Sequence, residues 1–258
     1  VEEAREYLIS HFSHFSKDMA DMMTEAFDHS WIDFFPRPGK VGGAFCDNLT
    51  EQKQSRVLTN FDGTLNSIGT LAHELGHAYH GLHIQDHKPL NTHYTMPVAE
   101  TASTFNENVI MSAAIDQATG EEKLALIESQ LQDFTQTICD IYSRFVFENT
   151  VFNKTKDEFL FPDQLKAIMT DAQIKAYGEG LDPEYRHPFM WTCKGHYYSE
   201  HLSYYNFPYA FGALFSKGLY AMYRKEGESF VPKYQELLKA TTICDVEDVA
   251  KMVGADIT

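Results

Sequence analysis

The spacing of apolar residues along the chain predicts a mainly helical protein. From Glu2 to about His29, apolar side chains recur every three or four positions, as they do on one face of a helix. Further stretches with this spacing predict helices at about residues 67–81, 97–117, 124–152, 162–177, 209–225, 229–240 and 246–252. Two short extended segments, at residues 41–46 and 56–61, predict a small β element just before the helix at 67–81.

The chain shows no internal repeat and no low-complexity linker. The segment from residue 178 to 208 is irregular and rich in aromatic residues, but it carries no domain boundary signal. A chain of 258 residues can enclose one large core. We therefore expect residues 1–258 to form a single domain.

Composition narrows the classes of partner. A net charge of −16 argues against nucleic acid, and no apolar run approaches the ~20 residues that a membrane span needs. The N-terminus carries no basic region followed by an apolar one, so no signal peptide is visible. The four cysteines are far apart and form no Cys-x-x-Cys pair, which is typical of reduced thiols. We expect a cytoplasmic protein.

The sequence His73-Glu74-Leu75-Gly76-His77 carries the strongest chemical signal. Residues four apart lie on one face of a helix, so the imidazoles of His73 and His77 can bind one zinc ion. Glu74 then lies beside them, where it can act as the general base towards a bound water. An ordinary amphipathic helix that happens to bear two histidines is the alternative interpretation.

A catalytic zinc site needs a third protein ligand, and two residues compete for that place. Glu100 follows His77 by twenty-three residues and lies near the start of the next predicted helix, which can set its carboxylate against both imidazoles. His83 is the alternative, but that arrangement requires the helix to end sharply at a glycine, where this chain has His80. Glu107, two helical turns after Glu100, can accept the free ring N–H of a ligating histidine.

These residues resemble the zinc-binding core of the oligoendopeptidase F and thimet oligopeptidase family. The resemblance covers the sequence from Thr70 to His80 and from Ala99 to Ser103, and it extends to the segments at 39–45, 191–198 and 203–212. It implies a helical, gluzincin-like zinc-metallopeptidase domain with a small β element near the active-site helix. By resemblance, His73, His77 and Glu100 bind one zinc ion and Glu74 is the general base.

The resemblance also implies a substrate and a partner. Members of the family hydrolyse short peptides in a deep channel and are roughly twice as long as this chain. The chain is therefore expected to be the C-terminal catalytic half of a longer oligopeptidase, because it also begins without Met inside an amphipathic pattern. The missing N-terminal portion, or a second copy of the chain, is then its expected partner.

The segment from His196 to Tyr209 is the expected source of donors to the oxyanion, since it contains two histidines and five tyrosines. Alignment on Trp191 favours His196 as the family's histidine, whereas alignment on Gly212 favours His201. Among the tyrosines, Tyr205 and Tyr209 are the preferred donors, and Tyr198 is a candidate substrate contact.

Small residues near the β element suggest where a peptide binds. Gly42, Gly43 and Ala44 have little side-chain bulk, so another backbone can approach them and add a strand to this edge. The alternative for this segment is a plain turn into a short sheet.

Three functions from different classes follow from these observations. The first is a zinc-dependent endopeptidase acting on short peptides. The second is a non-catalytic peptide-binding or structural fragment that retains the zinc site. The third is a different zinc hydrolase that uses His83 as its third ligand.

Overall fold

A computed structural model describes residues 1–257 and is mainly helical with a small sheet, as the sequence predicts. The helices are α1 (Glu2–Phe15), α2 (Lys17–Asp28), α3 (Leu65–Ile84), α4 (Met96–Ala99), α5 (Thr101–Gln117), α6 (Gly120–Thr135), α7 (Ile141–Lys154), α8 (Pro162–Tyr177), α9 (Phe207–Glu226), α10 (Val231–Ala240) and α11 (Val246–Lys251). The strands are β1 (Ile32–Asp33), β2 (Phe45–Leu49) and β3 (Gln54–Leu58).

Three of the predicted helices are interrupted. The first is broken at Ser16, whose backbone is extended and which occupies the N-cap position of α2, where serine is a preferred residue. The second is broken at Glu100, between α4 and α5. The third contains a π-helical segment, Gln136–Asp140, between α6 and α7. The prediction of continuous helices was wrong at these points.

The sheet has the strand order β1-β3-β2. β1 runs parallel to β3, with Ile32 opposite Val57, and β2 runs antiparallel to β3, with Phe45 opposite Leu58. The strand expected from residue 41 begins only at Phe45, because the chain bends at the two preceding glycines and Gly43 has a φ of +79°. The short strand β1 was not predicted.

The fold consists of two compact units. Unit 1 comprises residues 1–126 together with the chain from Phe211 onward, and unit 2 comprises residues 127–210. Unit 1 has its own core, in which Phe12, Leu75 and Tyr234 are fully buried. Unit 2 has a separate core around Phe147 and Met169. The expectation that the chain acts as a single catalytic domain stays a prediction.

The structure also bears on the expectations about membrane spans and about the cysteines. No helix within residues 1–257 combines the length and the apolar character that crossing a bilayer requires. All four cysteines are free thiols, with Cys46 and Cys139 half-buried and Cys193 and Cys244 exposed.

Candidate metal centre

The two histidines of the motif lie on one face of α3. This helix begins after an Asp62-Gly63-Thr64 turn, in which Asp62 Oδ1 accepts the Thr64 backbone N–H at 3.0 Å. Thr64 Oγ1 in turn accepts the Ser67 N–H at 3.2 Å and caps the helix. Two turns later, the ring centroids of His73 and His77 are 4.9 Å apart, with their planes at 81°. The four-residue spacing therefore produces the expected pair of imidazoles.

Glu100 completes a three-residue cluster with these histidines. Its Oε2 atom lies 3.2 Å from His73 Nε2 and 3.5 Å from His77 Nε2. The three donor atoms lie within 4.8 Å of one another, and no other such group of His, Cys, Asp or Glu occurs in the described chain. Zinc bonds of about 2.1 Å in a tetrahedral site separate ligand atoms by about 3.4 Å. The observed separations from Glu100 therefore suit a zinc ion.

The break between α4 and α5 positions Glu100. Ser103, one turn into α5, donates its hydroxyl to Glu100 Oε2 at 2.9 Å. Gly212 of α9 packs against the other side, where a Cβ atom would lie 2.7 Å from the Glu100 Cβ. Both residues fall in segments that resemble the family, but sequence reasoning assigned neither a role. Their contacts hold the carboxylate towards the imidazoles.

Glu107 lies on the far side of His73. Its Oε1 atom is 2.5 Å from His73 Nδ1, so the ring is held between two carboxylates, with Glu100 at Nε2. Burial alone would lower the pKa of His73, but the hydrogen bonds to Glu100 and Glu107 raise it to about 10. Conversely, burial acts to raise the pKa of Glu100, while His73 and His77 hold it well below its usual range.

Glu74 is buried beside the cluster. Glu74 is only 5% exposed, and its Oε2 atom has no hydrogen-bond partner among the described residues. Burial raises the pKa of the Glu74 carboxyl, while the nearby His73 and His77 partly offset that rise. Burying a carboxylate oxygen without a hydrogen-bond partner costs free energy. Such an oxygen is typical of a residue whose partner is a bound water or substrate.

His83 does not join the cluster. Its Nε2 atom lies 3.9 Å from Asp18 Oδ2, and its ring packs edge-on against Tyr79 at 4.5 Å. The neighbouring His80 is fully buried, with its ring stacked on Tyr94 at 4.1 Å and its Nε2 atom 2.7 Å from Thr241 Oγ1. Glu100, and not His83, therefore lies in the cluster with His73 and His77.

A close crossing of α3 and α5 sets the distance between the motif and Glu100. At Gly76, a Cβ atom would lie 2.6 Å from the carbonyl oxygen of Ala102. One turn away, Asn106 donates its side-chain amide to the Ala72 carbonyl at 3.0 Å. A larger residue at position 76 would push the two helices apart, so the motif requires glycine there for packing.

The sheet contacts the same helix through Asn48. Its amide Nδ2 donates to the backbone carbonyl of His77 at 3.3 Å, and its Oδ1 accepts the Ser55 hydroxyl at 2.7 Å. Its side chain fills the space over Gly81, where a Cβ atom would lie 2.3 Å from Asn48 Oδ1. The sequence predicts no role for Asn48, because no local signal indicates this contact.

The segment that the sequence singled out near the end of unit 2 forms a cluster of rings. Tyr205 and Tyr209 share a hydrogen bond of 2.9 Å between their hydroxyl oxygens. The ring of His196 lies 5.9 Å from that of Tyr205, and its buried Nε2 atom has no partner among the described residues. His201 is exposed and beside Glu200, and Tyr198 is also exposed. Within unit 2, the geometry favours His196 over His201 as the partner of the tyrosines.

Gly42, Gly43 and Ala44 precede β2 rather than form part of it. The two glycines are exposed, and the carbonyls of Val41 and Gly43 accept the side-chain amide of Asn60 at 3.0 and 2.9 Å. Within the described residues, β2 pairs only with β3, so its other edge is free of strand partners.

Known proteins resemble the chain over most of its length. Oligopeptidase PepF of Bacillus subtilis is 28% identical over an alignment of 260 positions, which covers 100% of this chain and 38% of that protein. The chromosomal oligoendopeptidase F of Lactococcus lactis subsp. cremoris is 29% identical over 201 residues, or 77% of this chain and 33% of that protein. The chain thus spans well under half the length of these relatives.

Solved structures share the fold. The structure of oligoendopeptidase-F from Enterococcus faecium superposes with a TM-score of 0.66 and 19% identity, covering 98% of this chain and 39% of that one. PZ peptidase A with inhibitor 2 gives a TM-score of 0.79 and 18% identity, covering 98% of this chain and 44% of that one. The model of peptidase family M3 matches residues 9–258. The chain belongs to peptidase family M3.

Proposed function

We propose that the chain is the catalytic portion of a zinc-dependent endopeptidase that hydrolyses short peptides. The convergence of His73, His77 and Glu100 beside the buried Glu74 is the observation that carries this proposal. Two imidazoles and one carboxylate are a typical ligand set of a catalytic zinc site, which leaves a coordination position open. The relatives named oligoendopeptidase support the peptide substrate.

The chemistry divides between the ion and the side chains. When bound, zinc lowers the pKa of water and polarises a carbonyl group. Glu74 removes the proton of the attacking water and delivers it to the leaving amine, and its buried, unpartnered oxygen suits that role. Glu107 accepts the Nδ1 proton of His73, which leaves Nε2 as the ligand atom.

The histidine and tyrosines of unit 2 are proposed to stabilise the oxyanion. Hydroxyl and ring N–H groups are suitable donors, and removing one such donor costs about 10²–10³ in kcat. We assign this role to His196, Tyr205 and Tyr209, with His201 as the alternative histidine and Tyr198 as a substrate contact. The tyrosine pair and the unpartnered His196 nitrogen support the assignment.

The edge of the sheet is proposed to bind the peptide backbone. Gly42, Gly43 and Ala44 lead into β2, and an extended peptide can pair with a free strand edge. Replacing Gly43 with valine should raise KM, because valine disfavours the positive φ at this position and adds bulk to the edge. An unchanged KM would count against the edge.

The remaining parts of the proposal concern the context of the site. We propose one zinc ion, a cytoplasmic location, and a further portion of the same enzyme or a second copy of the chain as the partner. The fraction of the relatives' length that the chain spans supports such a partner. The free cysteines are in accord with a reducing compartment.

Metal analysis combined with three substitutions tests the central proposal. Glu74→Gln should retain zinc but lose cleavage of a quenched fluorescent peptide, whereas Glu100→Ala should lose the zinc. His83→Ala should retain both, because His83 lies against Asp18 and Tyr79. Zinc loss in His83→Ala would instead favour the hydrolase with that ligand. A parent chain that binds zinc but cleaves nothing would favour the non-catalytic fragment.

A further inference from the structure

Tyr204 has an unusual backbone conformation. Its φ is +57°, in the left-handed region that bulky residues rarely adopt. Such a conformation persists only when the surrounding structure enforces it, and it is concentrated at functional sites. Tyr204 directly precedes Tyr205, one of the two tyrosines whose hydroxyls are hydrogen-bonded. The conformation of Tyr204 therefore sets the direction in which the chain enters this pair.

A buried carboxylate enforces this conformation. Glu148 of α7 is 6% exposed, and its Oε1 atom accepts the Tyr204 backbone N–H at 2.8 Å. The Tyr204 ring packs between Phe145 and Phe152, at 5.4 and 5.5 Å, which keeps the side chain on the same helix.

Two more bonds attach the flanking residues to α7. Arg144 Nη1 donates to Asn206 Oδ1 at 2.9 Å, and the Tyr197 hydroxyl donates to the Arg144 carbonyl at 3.2 Å. The residues from Tyr197 to Asn206 are thus held at both ends by one turn of α7, and Glu148 holds the strained point between them. These contacts all lie within unit 2.

We infer that Glu148 is a positioning residue, which holds Tyr204 in its left-handed conformation and thereby orients the hydroxyls of Tyr205 and Tyr209. The inference rests on the proposed function, in which these hydroxyls stabilise the oxyanion. Glu148 does not act on substrate itself. It supplies a hydrogen-bond acceptor within bonding distance of the Tyr204 N–H, so the length of its side chain matters more than its charge.

A series at position 148 separates reach from charge. Glu148→Gln keeps an acceptor oxygen at the same distance and should retain kcat within about twofold, because a neutral amide oxygen still accepts an N–H. Glu148→Asp keeps the charge, but its side chain is one methylene shorter and no longer reaches the Tyr204 N–H, so kcat should fall. Glu148→Ala removes the acceptor altogether and should also lower kcat. A misplacement of about 1 Å can cost up to about 100-fold in rate, so a loss of tenfold or more is expected for alanine. KM and zinc content should stay unchanged.

Hydrogen exchange supplies a measurement that does not depend on turnover. The backbone amides of residues 204–207 and 209 should exchange faster in Glu148→Ala than in the parent, while the amides of α8 in the same unit should not; Pro208 has no amide hydrogen. Glu158→Ala, which removes an exposed carboxylate paired with Lys154, is the matched control and should change neither exchange nor kcat. Glu148→Gln should exchange like the parent.

The outcomes distinguish this inference from the proposed function. Equal loss of kcat in Glu148→Gln and Glu148→Ala would overturn the inference. A parent-like kcat in Glu148→Ala, or unchanged exchange of its amides between residues 204 and 209, would do the same. If the parent chain cleaves no peptide, the proposed function fails, yet the exchange series still tests whether Glu148 holds Tyr204. If Glu148→Ala does not fold, Glu148→Asp and Glu148→Gln keep the comparison decisive.

Discussion

The Oε1 atom of Glu107 lies 2.5 Å from Nδ1 of His73, on the side of the ring opposite to Glu100. In the proposed zinc-bound state, in which Nε2 is the ligand atom, Glu107 accepts the remaining Nδ1 proton and so orients the ring. Glu107 was a candidate for this role from its spacing alone, two helical turns after Glu100.

Glu107→Ala should weaken zinc binding by about 10–100-fold, because the His73 ring loses the partner that orients it. Glu107→Gln should weaken it less, since the amide oxygen still accepts the Nδ1 proton. Competition against a chromophoric chelator measures the affinity. Glu122→Ala removes an exposed carboxylate of the next helix, α6, and serves as the control. Equal zinc affinity of Glu107→Ala and the control would contradict the prediction.

Gly76→Ala should destabilise the fold by about 1–3 kcal/mol through overpacking. The new Cβ would meet the Ala102 carbonyl at 2.6 Å, and backbone atoms cannot yield as a flexible side chain does. Gly69→Ala, on the same helix, meets nothing within 4 Å and should stabilise the helix by up to about 1 kcal/mol. Denaturant unfolding of both variants measures the difference, and equal midpoints would refute the tight crossing.

Gly212→Ala should lower zinc affinity while leaving the histidine ligands in place. The added Cβ would lie 2.7 Å from the Glu100 Cβ, so the carboxylate must shift from its position between the imidazoles. Gly218→Ala, two turns further along α9, meets nothing within 4 Å and is the matched control. Zinc titrations of the two variants should differ by about tenfold or more, in the range seen when a ligand loses its support.

The stability of the metal-free protein should depend on pH through His80. Burial lowers the pKa of His80 from 6.5 to about 3, so the folded chain keeps the ring neutral where the unfolded chain protonates it. The stability that the neutral ring contributes is thus present above pH 6.5 and is lost as the pH falls towards 3. The loss is at most about 1.4 kcal/mol per pH unit.

Urea unfolding at pH 7.5 and 5.5, with a chelator present, measures this loss. The His80→Leu variant lacks the titrating ring, and Thr241 keeps its hydrogen bond to the Leu238 carbonyl. The parent should therefore lose about 1.4 kcal/mol more than the variant between the two pH values. Equal losses in parent and variant would mean that His80 takes up its proton in the folded state as easily as in the unfolded state.

The sequence predicts what local geometry controls. His73 and His77 form a pair because any helix brings residues four apart together, and the mainly helical fold follows from apolar spacing. The prediction that Glu100 joins the two histidines required one further assumption, namely that the helix after the motif packs against the motif helix. The crossing at Gly76 provides that packing. Each of these inferences depends on the spacing of residues within one helix or on the packing of one pair of helices.

The features that escaped prediction depend on distant partners. The conformation of Tyr204 has no local signal, because it is enforced by Glu148, 56 positions earlier in the chain. The role of Asn48 depends on Gly81, which leaves room for its side chain on another element. The break at Ser16 is an intermediate case, since serine is a local signal for the N-terminus of a helix, yet apolar spacing continues through it.

The contact of Asn48 with α3 has a consequence for the lifetime of a bound metal. The motif helix packs against α5 on one side and is hydrogen-bonded to the sheet on another, at the carbonyl of His77 itself. Such a helix has no loose end near His73 and His77, the proposed ligands, so it opens only together with the core of unit 1 around it. Fraying of α3 is therefore suppressed as a route by which a bound ion would escape.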